Sequence, residues 1–206
     1  MRTGIIGGTF DPIHYGHLLL AETARDFLKL DRVIFVPAGV PPHKRDRQIS
    51  SGADRAAMIQ LAIAGYPEFE LSRFEIDTEG VSWTVLTLRH FRQIYPDDSF
   101  FLIIGSETLS DLSGWYKPEE LCRLASPAAA HRAGMVPPQF GHLTSVVSQE
   151  RLDEFRKLVI PMPQIELSST EIRNRVREGR SIRFLTPEKT VDYICKKGLY
   201  RSFHQR

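Results

Sequence analysis

His14 and His17 stand three residues apart where a helical pattern opens, directly after the run Gly7-Gly8-Thr9-Phe10-Asp11-Pro12. A short apolar strand pattern, Ile5-Ile6, precedes that run. Two glycines let a backbone turn tightly and approach a ligand closely. A helix N-terminus attracts anions through its free N–H groups and its dipole. Two imidazoles added at such a place suit a polyphosphate whose charge grows during a reaction. By itself this histidine spacing on a helix is most often structural, but a glycine-rich turn after a strand argues for function. Asp11-Pro12 reads as a turn initiator. Gly16 inside a first helical turn costs stability, which points to a ligand that needs the space.

Three further segments are chemically loaded. Pro41-Pro42-His43-Lys44, with Arg45 and Arg47 beyond it, is a basic loop. Its prolines restrict Lys44, so a phosphate contact costs that lysine less entropy. Gly105-Ser106-Glu107 follows the apolar run Phe100–Ile104. Gly105 permits close backbone approach, and Glu107 either accepts from a sugar hydroxyl or complements a helix dipole. Trp115-Tyr116 is either core packing or a surface that stacks on a flat heterocycle. In Ser168-Ser169-Thr170-Glu171-Ile172-Arg173, Ser168 and Glu171 fit a reciprocal capping box. Thr170 and Arg173 share a helix face, and an arginine fork suits phosphate. No serine or cysteine nucleophile with a base emerges, nor a carboxylate cluster for a protein-held metal. A magnesium ion would arrive bound to a substrate triphosphate. The set suits phosphoryl chemistry, in which a protein mainly positions reactants and stabilises charge.

Strand and helix patterns alternate along the chain. Strand patterns fall at Ile5-Ile6, Val33–Val36, Phe69–Leu71, Phe100–Ile104, Ala128–Ala130 and Ile165–Leu167, with an extended piece at Phe74–Ile76. Helical patterns cover residues 15–29, 51–64, 82–94, 106–112, 117–124, 148–158, 169–178 and 187–197. Such alternation predicts an α/β fold: a Rossmann-like doubly wound parallel sheet with helices on both faces and a small C-terminal helical part. Residues 1–206 are expected to form a single domain, with 169–206 as its helical subregion. Ligands of such sheets sit beyond the carboxyl ends of the strands, so the loops after Ile6, Val36, Ile104 and Leu167 are where function is expected. The chain is 42% hydrophobic and 25% charged with a net charge of +2, so no whole-molecule field points to nucleic acid or membrane. No apolar run reaches the roughly 20 residues that span a bilayer. The N-terminus enters a strand pattern at once, which predicts no signal peptide. Cys122 and Cys195 form no paired motif and read as reduced core thiols of a cytoplasmic protein.

Gly7–His17 resembles the first motif of the nucleotidyltransferase superfamily, and Ser168–Arg173 resembles its second. With Pro41–Lys44, Ser82-Trp83-Thr84, Trp115 and the ending Val191–Tyr200, the whole chain is similar to the bacterial nicotinate-nucleotide adenylyltransferases. The resemblance implies adenylyl transfer from ATP to nicotinate mononucleotide, giving nicotinate adenine dinucleotide and pyrophosphate in NAD biosynthesis. The acceptor's phosphate would attack the α-phosphorus in line, without a covalent enzyme intermediate. The catalytic residues implied are His14 and His17 as transition-state stabilisers, with Lys44 and Arg173. ATP binding is implied for Gly7, Gly8, Thr9, Phe10, Gly105, Glu107, Ser169, Thr170 and Arg173 together with the histidines. A nicotinate-nucleotide pocket is implied for Lys44, Thr84, Trp115 and Tyr116. Mg2+ would come with ATP. The implied partners are these two small molecules, without nucleic acid or membrane; a homo-oligomer is left open. The chain departs from the family at Glu107, where Gly-x-Asp is commoner, at Val85, where an acid often stands, and at Ala128–Gly134, where the family leads to an Arg-Pro-Gly turn.

Two alternatives compete. One is an adenylyltransferase for nicotinamide mononucleotide or phosphopantetheine. The other is a non-catalytic nucleotide-binding sensor, which loss of His14, His17 or Arg173 would have favoured.

Overall fold

The protein is described by a computed structural model covering residues 1–40, 49–132 and 134–201. In chain order the elements are β1 (Arg2–Gly8), α1 (Tyr15–Phe27), β2 (Arg32–Pro37), α2 (Gly52–Ala62), β3 (Phe69–Leu71), α3 (Phe74–Asp77), α4 (Thr84–Ile94), β4 (Ser99–Gly105) and α5 (Ser106–Ser110). A 3-10 turn at Leu112–Gly114 leads to α6 (Pro118–Leu124) and β5 (Ser126–Arg132). A second 3-10 turn, Gly141–Leu143, precedes α7 (Gln149–Arg156), β6 (Ile160–Met162), α8 (Ser169–Arg177) and α9 (Glu188–Lys197).

The six strands form one sheet in the order β3-β2-β1-β4-β5-β6, and every pairing is parallel. This is the Rossmann-like doubly wound arrangement that the alternation predicts. Strand order reverses between β1 and β4, so the ligand crevice belongs beyond Gly8 and Gly105. Because strand side chains alternate, neighbouring residues feed two different cores. Ile6, Phe35, Ile103 and Ala128 face α1, α2 and α9, while Ile5, Ile34, Leu102 and Ala129 face α4, α6 and α7. Burial on both faces explains why the strands read as unbroken apolar runs. The C-terminal segment shares the first core through Ile172 of α8, Ile182 of the connection and Ile194 of α9.

Several local expectations are corrected. Phe74–Asp77 is a helical turn rather than an extended piece. Ile165–Leu167 is not a strand; the sixth strand is Ile160–Met162, paired with Ala130–Arg132. It contains Pro161, which an edge strand tolerates because one side needs no ladder donor. The helix expected over 106–112 stops at Ser110 and continues as the 3-10 turn. Cys122 is buried as expected, but Cys195 is exposed on α9, which buries Thr190 and Ile194 instead.

Candidate active site

The backbone from Thr9 to His14 links β1 to α1 across the point where strand order reverses. Phe10 adopts φ +50, an outlier for a bulky residue, while its ring is buried edge-on against His17 with centroids 4.9 Å apart. Gly8 makes that packing feasible, since a Cβ there would lie 3.1 Å from the Phe10 ring. His14 is the N-cap residue of α1, and its backbone N–H donates to His17 Nδ1 at 3.2 Å. That bond leaves the proton of a neutral His17 on Nε2, as a donor for a bound anion. The two imidazoles stack with centroids 3.7 Å apart and planes 21° apart. Burial lowers His14 to a pKa of about 4 against the pull of its backbone hydrogen bond. Burial also holds His17 well below its ordinary value, with the neighbouring His14 adding to the effect. Both rings are therefore neutral at pH 7. His14 Nδ1 is buried without a hydrogen-bond partner among the described residues. The glycine at 16 gives that ring room as well, since a Cβ there would lie 3.0 Å from His14 Nδ1.

The loop is braced by side chains from distant parts of the chain. Arg55 donates to the Thr9 carbonyl at 3.0 Å, Arg173 to that of Asp11 at 2.8 Å, and Ser169 to that of Pro12 at 2.8 Å. Thr186 donates to the carbonyl of Ile13 at 2.7 Å. The buried Asp11 carboxylate accepts from the Tyr200 hydroxyl at 2.7 Å and from the Ser50 N–H at 3.3 Å. Arg55 also holds the Ser50 carbonyl at 3.0 Å, so residue 50 is tied to the histidine loop from two sides. Arg173 reaches the Thr170 hydroxyl at 3.2 Å, which matches the shared face read from their spacing. Ser168 caps α8 through the Glu171 N–H at 3.1 Å. The capping box is not reciprocal: the Glu171 carboxylate is drawn instead to Arg180 and Arg175, at 3.3 and 3.6 Å.

A crevice of about 580 Å³ opens at this place. Thr9, Phe10, His14, His17, Gly105, Glu107, Ser169, Thr170 and Arg173 all lie on its wall. Glu107 is exposed, 3.9 Å from Arg132, and Ser106 donates to the Ala130 carbonyl at 2.7 Å. The lining also includes Met135, Val136 and the two prolines that follow. Gly7 and Gly8 lie outside this wall. Gly7 is exposed on the opposite sheet face, following Ile5, and a Cβ there would meet nothing within 4 Å.

Thr84, Trp115 and Tyr116 also stand off the crevice wall, on the face of the second core. Thr84 opens α4, Trp115 packs against the second core, and Tyr116 lies 5.1 Å from the Trp83 ring. Lys44 falls outside the described residues. Among the described residues no group of three or more His, Cys, Asp or Glu side chains converges as a metal would need. Both Asp11 oxygens are already engaged. The site residues not foreseen from sequence are Asp11 as a hub, Arg55, Thr186 and Tyr200. Arg55 had a legible signal: it interrupts the buried stripe Ala56, Met58, Ile59 and Ala62 of α2, where a lone arginine needs partners. The other three act through contacts 39 to 189 residues away in sequence, which no local pattern carries.

The family model described as cytidylyltransferase-like matches residues 5–175. The chain is 40% identical over 201 residues to a probable nicotinate-nucleotide adenylyltransferase of Thermomicrobium roseum, covering 98% of this chain and 92% of that one. A protein of the same description from Geobacillus thermodenitrificans is 38% identical over 199 residues, covering 97% of this chain and 86% of its own length. A solved Plasmodium falciparum nicotinic acid mononucleotide adenylyltransferase, complexed with NaAD, is similar in fold, with a TM-score of 0.74, 21% identity and 97% of each chain covered.

Proposed function

The chain belongs to the cytidylyltransferase-like family and, within it, to the nicotinate-nucleotide adenylyltransferases, and we propose that its crevice transfers the adenylyl group of ATP to nicotinate mononucleotide. The observation that carries this reading is the pair of neutral, stacked imidazoles held at the strand-order reversal, with Arg173, Ser169 and Thr170 on the same wall. An oxygen of the acceptor phosphate forms a bond to the α-phosphorus while the bond to the bridging oxygen breaks. Pyrophosphate leaves carrying the electron pair. Charge grows on the departing oxygens, and His17 Nε2–H is a preorganised donor for them. Approach of those anions raises the imidazole pKa values, so stabilisation strengthens along the reaction coordinate. Arg173 keeps the loop in place through one Nη and meets the Thr170 hydroxyl with the other, so its positive charge stands on the crevice wall. Lys44 joins the phosphates from the basic loop in this reading.

The two sheet faces separate the reactants. ATP occupies the crevice of His14 and His17, and the acceptor approaches over Gly7 toward Thr84, Trp115 and Tyr116. The first turn of α4 carries no side-chain cap and no acid. Its open N-terminus favours the anionic pyridine carboxylate over the neutral amide. Magnesium fits as part of the ATP substrate: phosphate oxygens hold it, and it neutralises triphosphate charge. This enzyme handles small molecules, and the expectation of a cytoplasmic protein goes with that role; no helix among the described residues is long and apolar enough to cross a membrane.

The test is release of pyrophosphate from ATP and magnesium with nicotinate mononucleotide, nicotinamide mononucleotide or phosphopantetheine as acceptor. Fastest release with the nicotinate compound is expected. Faster turnover of the amide overturns the acid preference, and tight ATP binding with no release supports a sensor.

A further inference from the structure

Glu75, in α3, is not on the crevice wall and lies in none of the motifs that mark the site. It is nevertheless the meeting point of two segments that border the proposed acceptor side. The buried Thr87 of α4 donates its hydroxyl to Glu75 Oε1 at 2.6 Å. The Ser82 hydroxyl oxygen accepts the Gly39 N–H at 2.9 Å. The Ser82 N–H in turn donates to the Val40 carbonyl at 3.1 Å, and Val40 bridges Val81 in parallel. The loop leaving β2 is thus stitched to the segment that enters α4. A glycine is required at 39, because a Cβ there would run into the Glu75 carbonyl oxygen. Phe74 stacks on His90 of α4 with centroids 4.0 Å apart, and the Ser72 N–H donates to the Phe35 carbonyl at 2.9 Å. The turn that holds Glu75 is therefore fixed to both β2 and α4.

In sequence Thr84 lies between Ser82, which holds Gly39, and Thr87, which holds the Glu75 carboxyl. An ionised carboxylate is acceptor-only, so both of its oxygens suit hydroxyl donors such as Thr87, whereas an amide offers one acceptor oxygen. We propose that Glu75 is a positioning residue for the acceptor nucleotide: it locks the loop after β2 against the first turn of α4, and so sets acceptor affinity without touching either substrate. The inference rests on the reading that Thr84 and the start of α4 face the acceptor.

Steady-state pyrophosphate release by Glu75→Ala, Glu75→Gln and Thr87→Val tests it, with whichever acceptor the intact protein turns over fastest. The KM for the acceptor is expected to rise about tenfold in Glu75→Ala, in line with loss of a hydrogen bond to a charged group. The KM for ATP and kcat are expected to stay within about twofold, as distinct sites on opposite sheet faces require. Glu75→Gln, which keeps one acceptor oxygen, should recover part of the loss, and Thr87→Val should reproduce part of it. If Glu75→Ala does not fold, Glu75→Gln and Thr87→Val carry the test. An unchanged acceptor KM, or a parallel rise in both KM values with a fall in kcat, overturns the positioning role. Failure of the intact protein to use nicotinate mononucleotide overturns the functional reading instead, and the split between acceptor and ATP is then read with the acceptor it does use.

Discussion

In the proposed reaction His17 acts as a neutral donor, with its tautomer already chosen by the His14 N–H. A donor arranged before the reaction needs no reorganisation when charge develops, which is where such groups have their largest effect. His17→Ala should lower kcat by about 10²–10³-fold while changing the KM for ATP only a few-fold. Steady-state pyrophosphate release distinguishes this from equal losses in both, which would make His17 a ground-state binding residue. The histidines also tie folding to pH. His14 titrates near 6.5 unfolded and at about 4 folded. Its contribution is therefore complete above pH 6.5 and is lost as pH falls toward 4, because the unfolded chain takes up the proton first. That window corresponds to about 3 kcal/mol of stability for His14 alone, from the shift to about 4. Urea unfolding at pH 7 and pH 4 should show a smaller drop for His14→Asn than for the unaltered chain. Equal drops would exclude His14 as the titrating group.

At the scale of elements, the histidine loop is shaped as much by α2 and the C-terminal segment as by its own sequence. Four of its carbonyls accept from Arg55, Arg173, Ser169 and Thr186. Four carbonyls turned to side chains keep the intervening backbone rigid, and a rigid donor site is what transfer between two phosphates requires. Thr186→Val leaves the Ile13 carbonyl buried and unpaired, at a cost of about 1–3 kcal/mol. A several-fold fall in kcat should accompany the lower melting temperature, although Thr186 lies off the crevice wall. Stability loss with kcat unchanged would show that the loop holds its shape without the C-terminal brace.

Across the whole molecule, stability and chemistry occupy opposite ends of the sheet. At the end away from the crevice, Asp98 accepts from Thr3 at 2.6 Å and from Arg32 at 2.9 Å. Arg32 continues to Glu70 at 3.2 Å, joining β1, β2 and β3 to the turn before β4. Asp98 and Arg32 are nearly buried, so removing one partner strands the other. Asp98→Ala should cost about 3–5 kcal/mol in urea unfolding. Where the variant stays folded, both KM values and kcat should match those of the unaltered chain. A change in either KM would mean that the far end of the sheet communicates with the crevice.

The sequence by itself determined the alternation of strands and helices and the parallel doubly wound sheet. Apolar runs such as Phe100–Ile104 are local, and burial on both faces writes them without reference to the rest of the chain. The histidine spacing and the Thr170–Arg173 face were legible for the same reason, since helix geometry fixes neighbours three and four residues apart. Tertiary structure alone decided the rest. Pro161 hides β6 from any propensity rule, because only its place at the sheet edge makes it a strand. Gly8 and Gly16 read as room for a ligand, and folding also packs a ring of the same loop, Phe10 or His14, against each. Asp11 read as a turn former, and only folding brings Ser50 and Tyr200 to its two oxygens. Buried polar groups find partners wherever the chain returns to them, and sequence distance does not record where that is.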